Sequence, residues 1–197
     1  MDGLRDIYAP PLQIALDKQL DRLDAHAATF IRRSPFLVIA TADGAGRCDA
    51  SPRGDAPGFV AVLDERRLAI PDRRGNNRLD SLENLARNPG VGLLFMVPGV
   101  DETLRVNGRG AVSAEPSLLA GMAVQGRAPA SALIVTVKEV FFHCGKALKR
   151  SALWDPARHA RPGEIPSLGR ILADQVRGVQ AEEADANLAV AYRERLY

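Results

Sequence analysis

With 197 residues, 46% of them hydrophobic and 25% charged, the chain has the composition of a globular protein with one main core, which excludes disordered, collagen-like and disulfide-scaffold classes. A net charge of +2, from 26 basic and 24 acidic residues, supplies no overall field for nucleic acid or an anionic membrane, so any bound anion needs local donors. Cys48 and Cys144 make no metal-ligand spacing, no apolar run approaches roughly 18 residues, and the start MDGLRDIYAPPLQ lacks a leader pattern. The expectation is a cytoplasmic protein without a metal site or membrane span.

Apolar residues Leu12, Leu16, Leu20, Leu23, Ala27 and Phe30 recur every three or four positions, predicting an amphipathic helix over 12–33 that stops at Ser34-Pro35. The period then changes. FLVIAT (36–41), DASPR (49–53), FVAVL (59–63) and RLAIP (67–71) are short strand-like runs between turn clusters, and their close spacing predicts antiparallel pairing. A helical stretch over 78–88 precedes three more strands, GVGLLFMV (90–97), ETLRVNGRGAVSA (102–114) and SALIVTVKEVFFHC (131–144). Beyond Trp154, prolines 156, 162 and 166 mark a linker before two helical patterns, SLGRILADQVRGV and AEEADANLAVAYRERLY. The expected class is mainly β with flanking helices: an N-terminal helical segment over 1–34, an antiparallel barrel over 35–155 and a C-terminal helical extension over 156–197.

Four constellations could carry chemistry. In IPDRRGNNRLDSLENLARNP (70–89) a strand ends at Pro71, a polar turn holds Asn76 and Asn77, and a helix opens at Arg78; free N–H groups at a helix start, with arginines beside them, make an anion site, whereas a solvated turn with an N-cap is the plain alternative. In SPRGD (51–55) Arg53 sits at a strand end, either as a phosphate donor or as part of a turn held through Asp55. In ETLRVNGRG (102–110) Arg105, Asn107 and Arg109 alternate with Leu104, Val106 and Gly108, which gives one polar strand face for solvent or for a ligand cleft. In VFFHCGKALKRSALW (140–154) His143, Lys146, Arg150 and Trp154 would share one face if a helix opened near residue 144, although a lone histidine beside an aromatic strand is more often structural. No nucleophile, base and orienter triad is recognisable, and the catalytic residues are not named by the sequence.

These motifs, taken in order over about residues 30 to 155, resemble the pyridoxamine 5′-phosphate oxidase-like family of FMN-binding split barrels, and most closely an uncharacterised bacterial subgroup of it. The resemblance implies an antiparallel split β-barrel, a homodimer with FMN sites at the subunit interface, and a phosphate held by basic residues. It assigns Ser51 and Arg53 to the phosphate end, Pro71 and Asp72 to the ribityl chain, Asn76, Asn77 and Arg78 to closure on the phosphate, and Arg105 to the ring. His143, Lys146, Arg150 and Trp154 are expected among the cofactor-binding residues, close to the flavin or the mouth of its pocket. The GNNR loop is longer than the serine-Arg-Lys loop of the true pyridoxamine phosphate oxidases, and their C-terminal Trp and Arg pattern is missing, so oxidation of a vitamin B6 phosphate is not implied.

The resulting expectation is an FMN-dependent oxidoreductase acting on an unidentified small molecule, with a nicotinamide cofactor as a possible electron donor and the flavin supplying the redox chemistry. Two alternatives come from other classes. One is a non-catalytic flavin-binding, storage or sensing protein; the other, a nucleic-acid surface, is disfavoured by near-neutral charge and by only three tyrosines and one tryptophan for stacking.

Overall fold

Among the described residues there are seven strands, most of them built on alternating apolar residues: β1 (Phe36–Ala42), β2 (Cys48–Gly54), β3 (Ala61–Asp64), β4 (Arg67–Asp72), β5 (Gly90–Met96), β6 (Thr103–Ser113) and β7 (Ser131–His143). The computed structural model describes residues 3–197; Met1 and Asp2, at the start of the expected N-terminal segment, lie outside the described residues. The strands form one sheet in the order β2-β1-β5-β6-β7-β4-β3, with antiparallel pairing of β1 to β2 and β5, of β5 to β6, and of β3 to β4. Each run predicted as a strand is one, although FVAVL yields a strand only from Ala61, because Phe59 is still in a turn, its N–H donating to the Ala56 carbonyl.

The chain divides into two compact units. The first, residues 3–70, 79–113 and 133–146, contains the core. One sheet face supplies Leu37 and Ile39 of β1, Leu93 and Phe95 of β5, and Leu104 and Val106 of β6, joined by Ala27 and Ile31 of helix α3 (Ala25–Arg33). Full burial of each large member stabilises the fold by about 1.5–3 kcal/mol relative to exposure. Along β7 the inward positions are Val135 and Val137 and then Val140, so the alternation slips by one around Lys138 and Glu139, a local phase change of the kind a bulge produces.

The predicted helix over 12–33 is broken. Two short helices, α1 (Leu4–Ile7) and α2 (Gln13–Asp17), precede an extended stretch before α3 begins. Leu20 exchanges both backbone hydrogen bonds with Val140 of β7 (2.9 and 2.8 Å), Leu23 N–H donates to Glu65 O (2.7 Å), and Arg66 holds the Asp21 carboxylate (2.9 Å). Asp24 then caps α3 by accepting from Ala27 N–H at 2.7 Å. Strand-like pairing with β7 outweighs the helical periodicity, and Leu12 is left 75% exposed.

Two polar devices hold the start of the sheet. Ser34, fully buried, places its hydroxyl 2.7 Å from Phe36 O and 2.6 Å from Met96 O, tying the start of β1 to the end of β5. In the β1–β2 turn, Asp43 accepts from Ala45 N–H and Arg47 N–H (2.8 and 2.9 Å) and from Arg47 Nε (2.7 Å). The Arg47 side chain is the main reason the Asp43 carboxyl sits below its ordinary pKa.

The second unit comprises residues 71–78, 114–132 and 147–197. It contains helix α5 (Pro116–Gly121) and the pair α7 (Leu168–Gln175) and α8 (Ala181–Glu194), as the two C-terminal periodic stretches predict. Ser167 caps α7, and Asp185 of α8 accepts from both the Ser167 hydroxyl (2.5 Å) and Gly169 N–H (2.8 Å). Gly169 has no side chain because the Ala181 carbonyl and Asp185 fill the space a Cβ would need.

Candidate functional site

β2 is a terminal strand of the sheet, and it turns a polar row toward the side where its neighbour carries the core. Directly opposed residues on paired strands point to the same face. Asp49 faces Thr41, Ser51 faces Ile39, and Arg53 faces Leu37, so Asp49, Ser51 and Arg53 extend the buried face of β1 with a carboxylate, a hydroxyl and a guanidinium. All three are half-buried, while the alternate residues Ala50, Pro52 and Gly54 are exposed. Arg53 Nη1 donates to Ser51 Oγ (2.6 Å) and to Pro52 O (2.8 Å). The guanidinium carries three further N–H donors on Nε and Nη2.

Helix α4 (Asp80–Arg87) is fastened to this row. Ser81, buried in its first turn, donates to Asp49 Oδ2 at 2.8 Å, and Asn84 Nδ2, three residues on, donates to Thr41 Oγ1 at 3.1 Å. Thr41 and Asp49 are register partners, so two side chains on one helix face seize two opposed residues of one hairpin. The N-cap position of α4 is Leu79, which offers no side-chain acceptor, whereas α3 and α7 are capped by Asp24 and Ser167. Backbone donors at the start of α4 and the Arg53 fork on β2 both belong to the first unit. The sequence reading named Arg53 and Ser51 but missed Asp49, Thr41, Ser81 and Asn84. Their signal was the i, i+3 spacing of Ser81 and Asn84 together with the alternation of Asp49, Ser51 and Arg53.

On the opposite face of the sheet the predicted alternation of β6 is present. Leu104 and Val106 are fully buried, and Arg105, Asn107 and Arg109 face outward opposite Leu94, Gly92 and Gly90. The Arg105 guanidinium lies 5.0 Å from the centroid of the Phe141 ring, and Asn107 Nδ2 donates to Glu139 Oε2 at 2.9 Å.

The loop ahead of α4 belongs to the second unit. Pro71 is fully buried at the end of β4 and Asp72 is half-buried. Asn76 Oδ1 accepts from Arg78 N–H at 3.0 Å, an Asx turn, and Asn77 takes a left-handed backbone (φ 59°), a conformation that asparagine tolerates better than most side chains. Both asparagines thus shape the turn that presents Arg78, which is exposed.

The single helix face proposed for His143, Lys146, Arg150 and Trp154 does not form. His143 is the last residue of β7, helix α6 spans only Lys146–Ser151, and Trp154 lies beyond it. Just ahead of α6, Gly145 passes so close to Asp101 that a Cβ would sit 2.6 Å from the Asp101 Cβ, which leaves room for glycine alone. Helix α6 cannot run on because Ala152 adopts a left-handed conformation (φ 48°), with Leu153 N–H bonded to Leu148 O at 3.2 Å, a Schellman-type closure. Lys146 and Arg150, one turn apart, remain on α6.

Among the described residues no group of three or more His, Cys, Asp or Glu side chains could hold a metal ion, and no helix is long and apolar enough to cross a membrane.

The sequence matches the pyridoxamine 5′-phosphate oxidase family over residues 23–144. The chain belongs to this family. Its match begins just before α3 and ends just after β7, so it takes in the whole sheet, the polar row of β2 and helix α4. The seven-stranded antiparallel sheet with flanking helices is the split β-barrel expected of the family. A tagged HupZ protein from Group A Streptococcus has a similar fold, at 16% identity and a TM-score of 0.50 over 61% of this chain and 93% of that chain. A putative pyridoxamine 5′-phosphate oxidase from Lactobacillus delbrueckii aligns at 20% identity and a TM-score of 0.48, over 63% of this chain and 98% of the other. An FMN-binding protein from Syntrophomonas wolfei aligns at 7% identity and a TM-score of 0.45, over 59% and 88%. No curated protein matches the chain.

Proposed function

We propose that this chain binds FMN through its phosphate at the polar face of β2 and the start of α4, and that it works as an FMN-dependent oxidoreductase on a small molecule. The observation that carries the reading is the row Asp49, Ser51 and Arg53 on the core-side face of a terminal strand, clamped to α4 through Ser81. The Arg53 guanidinium, the Ser51 hydroxyl and a helix start that lacks a side-chain cap are all donors of the kind that suits a phosphate monoester. The acceptor-only Asp49 is already matched to the Ser81 hydroxyl, which keeps one carboxylate of the row engaged with a donor of its own.

In this reading Arg53 and Ser51 hold the phosphate. Taken by itself, the 71–78 loop offers Arg78 as a cation for a phosphate and Pro71 and Asp72 for a ribityl chain. A second copy of the chain completes the proposal: the outer sheet face, with Arg105 stacked on Phe141 and Asn107 bonded to Glu139, meets the partner and its flavin ring. When bound, the flavin would supply two-electron transfer. The chain's own residues bind and orient it, and the family's barrel core excludes water from one side. A nicotinamide cofactor is the proposed electron donor. The unpaired, exposed thiols of Cys48 and Cys144 suit a reducing, cytoplasmic setting.

The test is an FMN titration of the purified protein followed by addition of reduced nicotinamide cofactor. Saturable binding followed by bleaching of the flavin absorbance within seconds supports an oxidoreductase. Binding without reduction by nicotinamide or another two-electron donor favours a storage or sensing protein, and no binding removes the flavin from the account.

A further inference from the structure

The arginines of the 71–78 loop do different jobs. Arg73 Nη1 donates to Met122 O at 2.8 Å, and its guanidinium carbon lies 5.7 Å from the centroid of the Tyr197 ring. Met122 is the C-cap residue of α5, where backbone carbonyls lack helical partners and accept readily from a cation. Arg127 Nη1 in turn donates to the main-chain oxygen of Tyr197 at 2.8 Å. Arg127 is presented by a two-residue turn: Val124 and Arg127 exchange both backbone bonds (3.0 and 2.9 Å) around Gln125 (φ 51°) and Gly126 (φ 75°), the positive-φ pair of a type I′ turn. The loop, the β6–β7 connection and the residues after α8 therefore meet through Arg73, Arg127 and Tyr197, all within the second unit.

We propose that Arg73 is a positioning residue and Tyr197 its latch: seating of Tyr197 keeps Arg73 on the Met122 carbonyl and so sets the conformation of the Gly75–Arg78 turn for a phosphate monoester. Arg73 enters the loop from the end of β4, and the Asx turn that presents Arg78 begins three residues later at Asn76. Holding the first point of so short a loop restricts the rest of it. Arginine suits the role because its planar fork can stack on a ring while it donates in plane, which lysine cannot do. Phosphate binding at the turn and seating of the chain's last residues are then linked, and each strengthens the other by the same factor. The phosphate part rests on the FMN reading above; the latch does not.

The experiment uses the full chain and the variants Arg73→Ala, Tyr197→Ala and Tyr197→Phe, each confirmed as folded by circular dichroism. Without flavin, amide hydrogen exchange in residues 74–78, above all at the Arg78 N–H bonded to Asn76, should speed up about 5- to 20-fold in both alanine variants and stay unchanged in Tyr197→Phe, which keeps the ring. FMN affinity should fall about 5- to 20-fold in both alanine variants with riboflavin affinity unchanged, and the double variant should be no weaker than the poorer single one. If Arg73→Ala weakens FMN while Tyr197→Ala alters neither exchange nor affinity, Arg73 is a direct ligand and the latch is overturned. Faster exchange with unchanged FMN affinity overturns the coupling. If the parent protein binds no flavin, the FMN reading fails by itself, and exchange in Tyr197→Ala still decides the latch: unchanged exchange contradicts it.

Discussion

Ser81, in the first turn of α4, donates its hydroxyl to the carboxylate of Asp49 on β2 at 2.8 Å, and Asp49 lies on the same strand face as Ser51 and Arg53. The bond joins the helix start to the polar row, so the two halves of the proposed phosphate grip are held in one geometry. Ser81→Ala removes a hydrogen bond to a half-buried carboxylate and should cost about 1.5–3 kcal/mol of stability, read from chemical denaturation. Asp49→Ala should cost a similar amount, and the double variant should fall short of the sum, because both changes break one interaction. Additive losses would mean that the two residues act separately.

Gly108→Ala should be among the most damaging single changes in the sheet. A Cβ at this position would collide with the Thr136 carbonyl oxygen of β7 and come within 3.0 Å of its carbonyl carbon, and backbone cannot swing aside as a side chain can. Overpacking typically costs about 1–3 kcal/mol, and a clash with backbone belongs at or above the top of that range. Gly92→Ala is the control, since its Cβ would meet side chains alone, the end of Asn107 at 3.3 Å and the Ala40 Cβ at 3.9 Å. Equal melting temperatures for the two variants would contradict the close approach of β6 and β7.

Acid should weaken the fold in a defined window. The Asp43 carboxyl is held below its ordinary pKa, first by the Arg47 side chain and then by the Arg47 backbone N–H. Because the folded value is the lower one, the unfolded chain binds more protons as pH falls. The contribution of Asp43 is therefore complete above the unfolded pKa of about 3.9 and disappears as pH drops through the folded value. Asp21, held mainly by Arg66, and Asp64, held mainly by Arg67, act in the same direction. Asp43→Asn should flatten the decline of stability below about pH 4, measured by denaturant titration at several pH values, and leave it unchanged between pH 6 and 8. A variant whose stability falls as steeply in acid as the parent's would show that Asp43 is not a contributor.

The sheet was legible in the sequence because its cause is local. Alternation in FLVIAT, RLAIP and LRVNGR, with turn residues between the runs, specifies strands and their inward faces without reference to distant parts of the chain. The 12–33 stretch shows the limit of that reasoning. Its apolar spacing is helical, yet Leu20 finds backbone partners on Val140, and nothing near Leu20 announces a strand so far along the chain. The site divides in the same way. Arg53 was visible as a cation at a strand end, and the motif resemblance pointed to the loop before α4. The clamp of Ser81 on Asp49 and the latch of Tyr197 on Arg73 depend on contacts between residues remote in sequence. His143, Lys146, Arg150 and Trp154 would share one helix face only if a helix opened near residue 144; α6 spans Lys146–Ser151 instead, with His143 on β7, and the spacing of the four residues does not encode where that helix starts and stops.

The most direct measurement for the central claim is the affinity of Arg53→Ala for FMN and for riboflavin, which shares the ring and ribityl chain but lacks the phosphate. At neutral pH the phosphate is close to dianionic, and a net charge of +2 gives the chain no general attraction for it. Loss of a charge-assisted hydrogen bond worth about 1.5–3 kcal/mol predicts FMN binding weaker by roughly 10- to 150-fold, with riboflavin binding and apo-protein stability little changed. Arg78→Ala should show the same selectivity. If Arg53→Ala loses FMN and riboflavin affinity in equal proportion, or keeps both, Arg53 does not hold the phosphate and the polar end of the site lies elsewhere.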